Sequence, residues 1–360
     1  MNRYFLLCSL FLLFLSSQNL TAKTYSEYEI NQLLLNETTY INSKKLIKRT
    51  LLSQSPIRYI ETILSNHTDP IAKEYFLFEL LQELSKSPPQ KPFSDLVSTL
   101  KKYQVQANKH DEESHLLIPV FNIKARASGL ENYWKALEIE SYFSQTLNKT
   151  PLSALDEIRE LFKNANSSEW IGLNNSIGNI NQENQQIISN HFLQSPQNLL
   201  GLEYFYREFV LKTHDFKLLE FGISNLDNHN REYLLRSMQG YFEEESVSNI
   251  LLYAANSKLS QKFALSLMKP LVNSDLKIKK YLLTQLSDKE MGSSVAFSLS
   301  ALESVNELNK LMTIYKNTKS EDKKNNVLLA LRFNKNSIAQ SLYKQIKLDS
   351  KNLKINEGEL

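Results

Sequence analysis

From residue 230 to 351 the apolar and polar positions follow one pattern four times over. Each copy reads as two short amphipathic helices joined by a polar turn, and the copies begin near Arg231, Gln261, Ser293 and Asp322. The period is about 30 residues, within the range of repeat architectures. The first helix of each copy carries a tight apolar cluster: Tyr233-Leu234-Leu235 with Met238, Phe263-Ala264-Leu265 with Met268, Val295-Ala296-Phe297, and Val327-Leu328-Leu329. The second helices place apolar residues three and four apart, as in Val247, Ile250, Leu251 and Ala254, or Leu308, Leu311, Met312 and Tyr315. That spacing draws one stripe along one helical face. The intervening turns, 243–246 and 273–275, hold residues that cap a following helix. A single pair of such helices cannot cover its own apolar face, so the copies must stack.

Units such as Arg231–Met238 and Asn325–Leu331 carry a likeness to a known architecture. Through them about a third of the chain resembles the HEAT-like and armadillo-type α-solenoid superfamily. Tetratricopeptide repeats share the two-helix unit, and no recurring Asp-x-Asp or Pro-Leu turn marks the HEAT subfamily. The resemblance implies an all-α solenoid of stacked antiparallel helix pairs whose second helices line a concave surface.

The rest of the chain also reads as helical. Ser55-Pro56, Asp69-Pro70, Thr150-Pro151 and Ser195-Pro196 each set a capping residue before the proline that opens a helix. The helix after Asp69 is dense enough in apolar residues to be buried and central, and Ser87–Pro92 breaks the chain after it. A strong helix is expected from Glu131 to Thr146. The segment 104–114 is polar, and 116–121, interrupted by Pro119, is too short to assign. These readings divide the chain into an N-terminal helical region over 23–163, whose repeats are degenerate where they continue, an irregular polar connector over 164–186, the repeats over 187–350, and a polar tail over 351–360. Phe216–Leu226 makes the second helix of a fifth copy ahead of the clear four.

Composition agrees with helix: 8 glycines and 9 prolines in 360 residues leave few breaks. At the start, Arg3 precedes an apolar run from Tyr4 to Leu15, followed by polar residues to Ala22. This is the pattern of a secretory signal peptide ending at Ala22 rather than of a membrane-spanning helix. The only cysteine, Cys8, lies inside that segment, too early for a lipoprotein signal. The mature chain then has no thiol, so neither disulfides nor thiolate chemistry enter. A disulfide-free exported domain of this size suits a bacterial periplasmic or secreted protein. Removal of Arg3 takes the formal charge from +3 to +2. Lysines and glutamates are interleaved, so neither nucleic acid nor an anionic membrane surface is an expected partner.

Candidate chemistry is sparse. His110 and His115 are five apart and do not share a helical face, which argues for a surface loop rather than a metal site. There is no nucleophile elbow and no glycine-rich phosphate loop. The expectation is a chain with no catalytic residues, no metal and no cofactor, which binds a protein or an extended peptide. The alternative is a cell-wall protein that binds or cleaves peptidoglycan with a helical body. The second helices offer the candidate partner-binding residues Asn249, Tyr253, Lys277, Lys280, Tyr281, Asn309 and Tyr315. Tyrosines recur there once per copy, and most of them fall on the apolar stripe, which points to packing between copies.

Overall fold

The computed structural model describes residues 22–35, 37–66 and 69–357. Among them are nineteen α-helices and three short strands, so the expected all-α class is the one that forms. No described helix is long and apolar enough to cross a membrane. The expected signal segment, apart from Ala22, lies outside the described residues. The described residues of Met1–Gln145 and Asn164–Ser176 make one compact unit, and those of Thr146–Lys163 and Ile177–Leu360 make a second.

The first unit is built on α4 (Pro70–Leu84). The Asp69 side chain accepts the Ile71 amide at 3.1 Å and Pro70 presets the backbone of the first turn. Ile71, Phe76, Leu77, Leu80, Leu81 and Leu84 are all buried, on more than one side of the helix, which makes it central. Helices α1 (Glu27–Leu35), α2 (Glu37–Leu52) and α3 (Pro56–Asn66) precede it, and α5 (Lys91–Leu100) follows the proline-rich break. α2 packs on α4 and α3 on α5.

Three strands are an addition to the sequence reading. β1 (Lys23–Thr24) runs parallel to β2 (Ala107–His110), which pairs antiparallel with β3 (Leu117–Pro119) in the register Lys109 to Ile118. Strands of two to four residues are too short for period-two alternation to register in sequence. Their order comes from distant partners, such as the Tyr25 amide on the Asn108 carbonyl at 2.8 Å. His110 and His115 bracket the loop between β2 and β3, where the Asp111 carboxylate accepts the Ser114 amide at 2.9 Å.

α6 (Ile123–Lys149) begins well before Glu131, and its Trp134 indole donates to the Ser87 carbonyl at 3.1 Å. α8 (Ser167–Ile177) lies against α6 at Gly172, where an added Cβ would sit 2.3 Å from the Ala136 carbonyl oxygen. That approach is open only to glycine.

The irregular connector expected over 164–186 is therefore corrected: it contains α8 and the start of α9 (Gln182–Gln194). Its asparagines are helix-end fittings rather than marks of a loop. Asn181 caps α9 by accepting the Asn184 amide at 2.9 Å, Asn148 donates to the Asn179 carbonyl at 2.8 Å, and Asn184 donates to the Asn148 carbonyl at 2.9 Å. The tail expected over 351–360 is corrected as well, because α19 (Ser337–Glu357) continues through most of it. No proline or glycine precedes Gly358 to stop that helix.

The second unit opens with α7 (Pro151–Leu161) and α9, then carries α10 (Glu203–Thr213), α11 (Phe216–Asn225), α12 (Asn228–Ser237), α13 (Glu244–Ala255), α14 (Gln261–Leu267), α15 (Leu276–Gln285), α16 (Gly292–Leu299), α17 (Val305–Asn317), α18 (Glu321–Phe333) and α19. Two rows run through it. α10, α12, α14, α16 and α18 pack each on the next, while α9, α11, α13 and α15 do the same in a second row, and α17 packs on α19. The first row holds the first helices of the sequence pattern and the second row holds the second helices. Leu234, Leu235, Ala264, Leu265, Val295, Ala296, Val327 and Leu331 are all buried.

Polar side chains close the helix ends between successive copies. Asn326 donates to the Leu286 carbonyl at 2.9 Å, Asn334 to the Leu302 carbonyl at 2.7 Å, and Asn273 to the Ala301 carbonyl at 2.8 Å. The buried Arg231 guanidinium does more: it donates to the Ile223 carbonyl at 2.7 Å, to the Leu226 carbonyl, to Asn228 Oδ1 at 2.8 Å and to the Leu259 carbonyl at 3.3 Å. Carbonyls at a helix C-terminus have no partner within the helix, and these donors supply one.

Candidate functional site

The candidate residues of the second-helix row fall into two kinds. Tyr281 and Tyr315 are half-buried. The Tyr281 hydroxyl donates to the Ala255 carbonyl at 3.3 Å, and burial, aided by the Asp288 charge, pushes the phenol above its ordinary range. Tyr281 is thus a packing residue between α15 and α13. Tyr253 is exposed, with its hydroxyl 2.7 Å from Ser224 Oγ on α11. Lys277 reaches Glu245 on α13 at 3.0 Å. Further along the row, Glu307 on α17 meets Lys310 at 2.9 Å and Lys279 on α15 at 3.9 Å. All but the Glu307–Lys310 pair, which lies within α17, cross from one copy to the next, and together they use up much of the charge. Asn249, Lys280 and Asn309 are exposed, and among the described residues their side chains make no hydrogen bond or ion pair. The structure therefore spreads the seven residues along the row as separate rungs and does not gather them into one cluster.

A concave feature lies in the other row. A cavity of about 620 Å³ opens between α12 and α14, next to the turn that leads into α16. Glu232, Lys258, Lys262, Phe263, Glu290 and Met291 are among its walls. Lys262, Glu232 and Glu290 are exposed. The sequence reading missed this region because it treated Phe263 as part of a stacking cluster. The signal lay in the position of that ring, one residue ahead of the buried pair Ala264 and Leu265, which turns it toward the outer face. The surroundings are polar and open, with cations and carboxylates side by side, a setting suited to an extended polar chain rather than to a buried small molecule.

One buried titratable group stands out in the first unit. Glu74 on α4 is fully buried. Its Oε1 accepts the Gln106 amide at 2.6 Å and the Ala107 amide at 3.3 Å, tying α4 to β2. Its Oε2 and the Gln106 Oε1 have no hydrogen-bond partner. Burial pushes the carboxyl up to about 7 against the opposing pull of the two amides and of Tyr103.

This raised value fixes a sign for the pH dependence of stability. Native Glu74 keeps its proton at pH values where the unfolded chain, near 4.5, has already lost it. The contribution is full below about pH 4.5 and is lost as pH rises toward 7, a change of about 3 kcal/mol. Urea midpoints measured across that window should fall for the native chain and stay level for Glu74→Gln. Parallel slopes for the two proteins would refute it.

Comparison of the chain with protein-family models, curated proteins and solved structures returned no match.

Proposed function

We propose that this chain is an exported, non-catalytic helical-repeat scaffold whose second unit is an α-solenoid that binds a protein or an extended peptide. The observation that carries the reading is the pair of helix rows in register, in which each first helix packs on the next first helix and the inter-copy joints are made by side chains on carbonyls. Stacked units of this kind repeat one surface at regular intervals, and a repeated surface suits a ligand that is itself a repeating chain. Export is supported by the Arg3 and Tyr4–Leu15 pattern and by the lack of cysteine beyond Cys8.

Panning the immobilised full chain against a random peptide library tests this directly. Saturable enrichment of linear sequences is the expected result. The exposed rings Tyr233 and Phe297 also suit a glycan, so sedimentation with purified peptidoglycan is the second arm. Cosedimentation without peptide enrichment, or release of sugar fragments, would overturn the peptide-binding reading in favour of a cell-wall protein.

A further inference from the structure

The first-helix row carries a feature with the period of the repeat. Arg207 on α10 lies 3.9 Å from the ring centre of Tyr233 on α12. Arg236 on α12 lies 5.5 Å from the ring of Phe263 on α14. Lys269, just past α14, lies 3.8 Å from the ring of Phe297 on α16. Three times in succession, a cation from one copy covers an aromatic ring from the next. Tyr233 and Phe297 are 37% and 46% exposed, so the rings do not disappear into the core.

Stacking of this kind at an exposed site holds each cation in place without occupying its N–H donors. Among the described residues, the Arg236 and Lys269 side chains have neither a hydrogen bond nor an ion pair. The second-helix row differs, because its charges are largely spent on one another. Arg207 is the buried end of the series: it donates to Asn230 Oδ1 at 2.7 Å, while its Nε has no partner. Glu208 next to it accepts the Tyr233 hydroxyl at 2.9 Å and is buried. In the cavity beside Phe263, Glu232 and Glu290 are balanced in number by Lys258 and Lys262. Arg236 and Lys269 add two cations that no carboxylate pairs with among the described residues.

We infer that the strip formed by Arg236, Phe263, Lys269 and Phe297 is a docking surface for an extended acidic peptide, with its carboxylates on the ring-held cations and its apolar side chains on the exposed rings. Neighbouring packed helices lie about 8–10 Å apart and an extended peptide advances about 3.3 Å per residue, so one rung of the strip corresponds to about three residues. The favoured ligand carries an acidic residue at every third position. The inference rests on the peptide-binding reading above and adds to it the face, the charge and the spacing.

The test is a fluorescence-anisotropy titration of the full chain with three labelled 12-residue peptides built from Glu-Thr-Val, Gln-Thr-Val and Lys-Thr-Val repeats. The glutamate peptide should bind about tenfold more tightly than the glutamine peptide, the sum of several modest exposed pairs, and the lysine peptide should bind least. Added salt should narrow the difference. The Arg236→Gln/Lys269→Gln double variant should lose the preference while its melting temperature falls by only a few degrees, since each side chain touches the fold through its ring contact alone. Acidic preference that survives in the double variant would overturn the assignment of the strip. Equal binding of all three peptides would overturn the charge assignment and leave the general peptide-binding reading standing. Failure of every peptide, here and in library panning, would sink both.

Discussion

Arg231→Met should lower the thermal midpoint of the second unit by roughly 10 °C. The Arg231 side chain is buried and bonds to carbonyls at the end of α11 and to the Leu259 carbonyl ahead of α14. Methionine fills similar space but leaves the buried Ile223 and Leu226 carbonyls, and the part-buried Leu259 carbonyl, without their donor. Each charge-assisted bond contributes about 1.5–3 kcal/mol and neighbouring losses are not additive, which places the total at about 3–5 kcal/mol. At about 2–4 °C per kcal/mol for a unit of this size, the shift is readily seen by circular dichroism. Lysine should not restore the loss, because one ammonium cannot span carbonyls on two sides as the guanidinium fork does. A shift under about 2 °C would show that water replaces the guanidinium and that the joint is not a structural one.

Gly172→Ala is expected to have the next largest effect, in the first unit. The added methyl would lie 2.3 Å from a backbone oxygen of α6 and 2.8 Å from the Ile139 Cβ. Neither contact can be relieved by a flexible side chain, so α8 must move away from α6. Overpacking of this kind costs about 1–3 kcal/mol, and here it acts on a backbone contact, so the upper part of the range applies. Chymotryptic digestion should cut the variant at Trp170 or Leu173 much sooner than the parent. Equal digestion rates would mean that the two helices separate without loss.

The repeat was legible because its apolar clusters are local and regular. Leu234-Leu235, Ala264-Leu265 and Val295-Ala296 announce the first helices, and the structure buries all of them. The flanking rings were harder to read. Tyr233 and Phe297 look like members of the same clusters, yet each lies on the edge of the stripe and stays partly in solvent. Hydrophobicity alone does not separate a core ring from a surface ring, and the cations that mark the difference sit one copy away in sequence.

The same distance problem hid other features. An asparagine such as Asn184 reads as connector material until its partner carbonyl, 36 residues away, is in place. Glu74 reads as one charge on an apolar helix until β2 delivers the two amides that hold it. Among the tyrosines of the second helices, Tyr281 is half-buried and bonds to the Ala255 carbonyl, while Tyr253 is exposed. The exposed polar residues Asn249, Lys280 and Asn309 have no geometry that brings them together, whereas the first-helix row repeats a cation on a ring three times in succession.

Photo-crosslinking decides between the two rows. A Glu-Thr-Val repeat peptide carrying a benzophenone group would be irradiated with the full chain, and the adducts mapped by mass spectrometry. The account predicts adducts on α12, α14 and α16, around Tyr233, Phe263 and Phe297, competed away by unlabelled peptide. Saturable adducts on α13, α15 and α17, around Tyr253, Lys280 and Asn309, would contradict it.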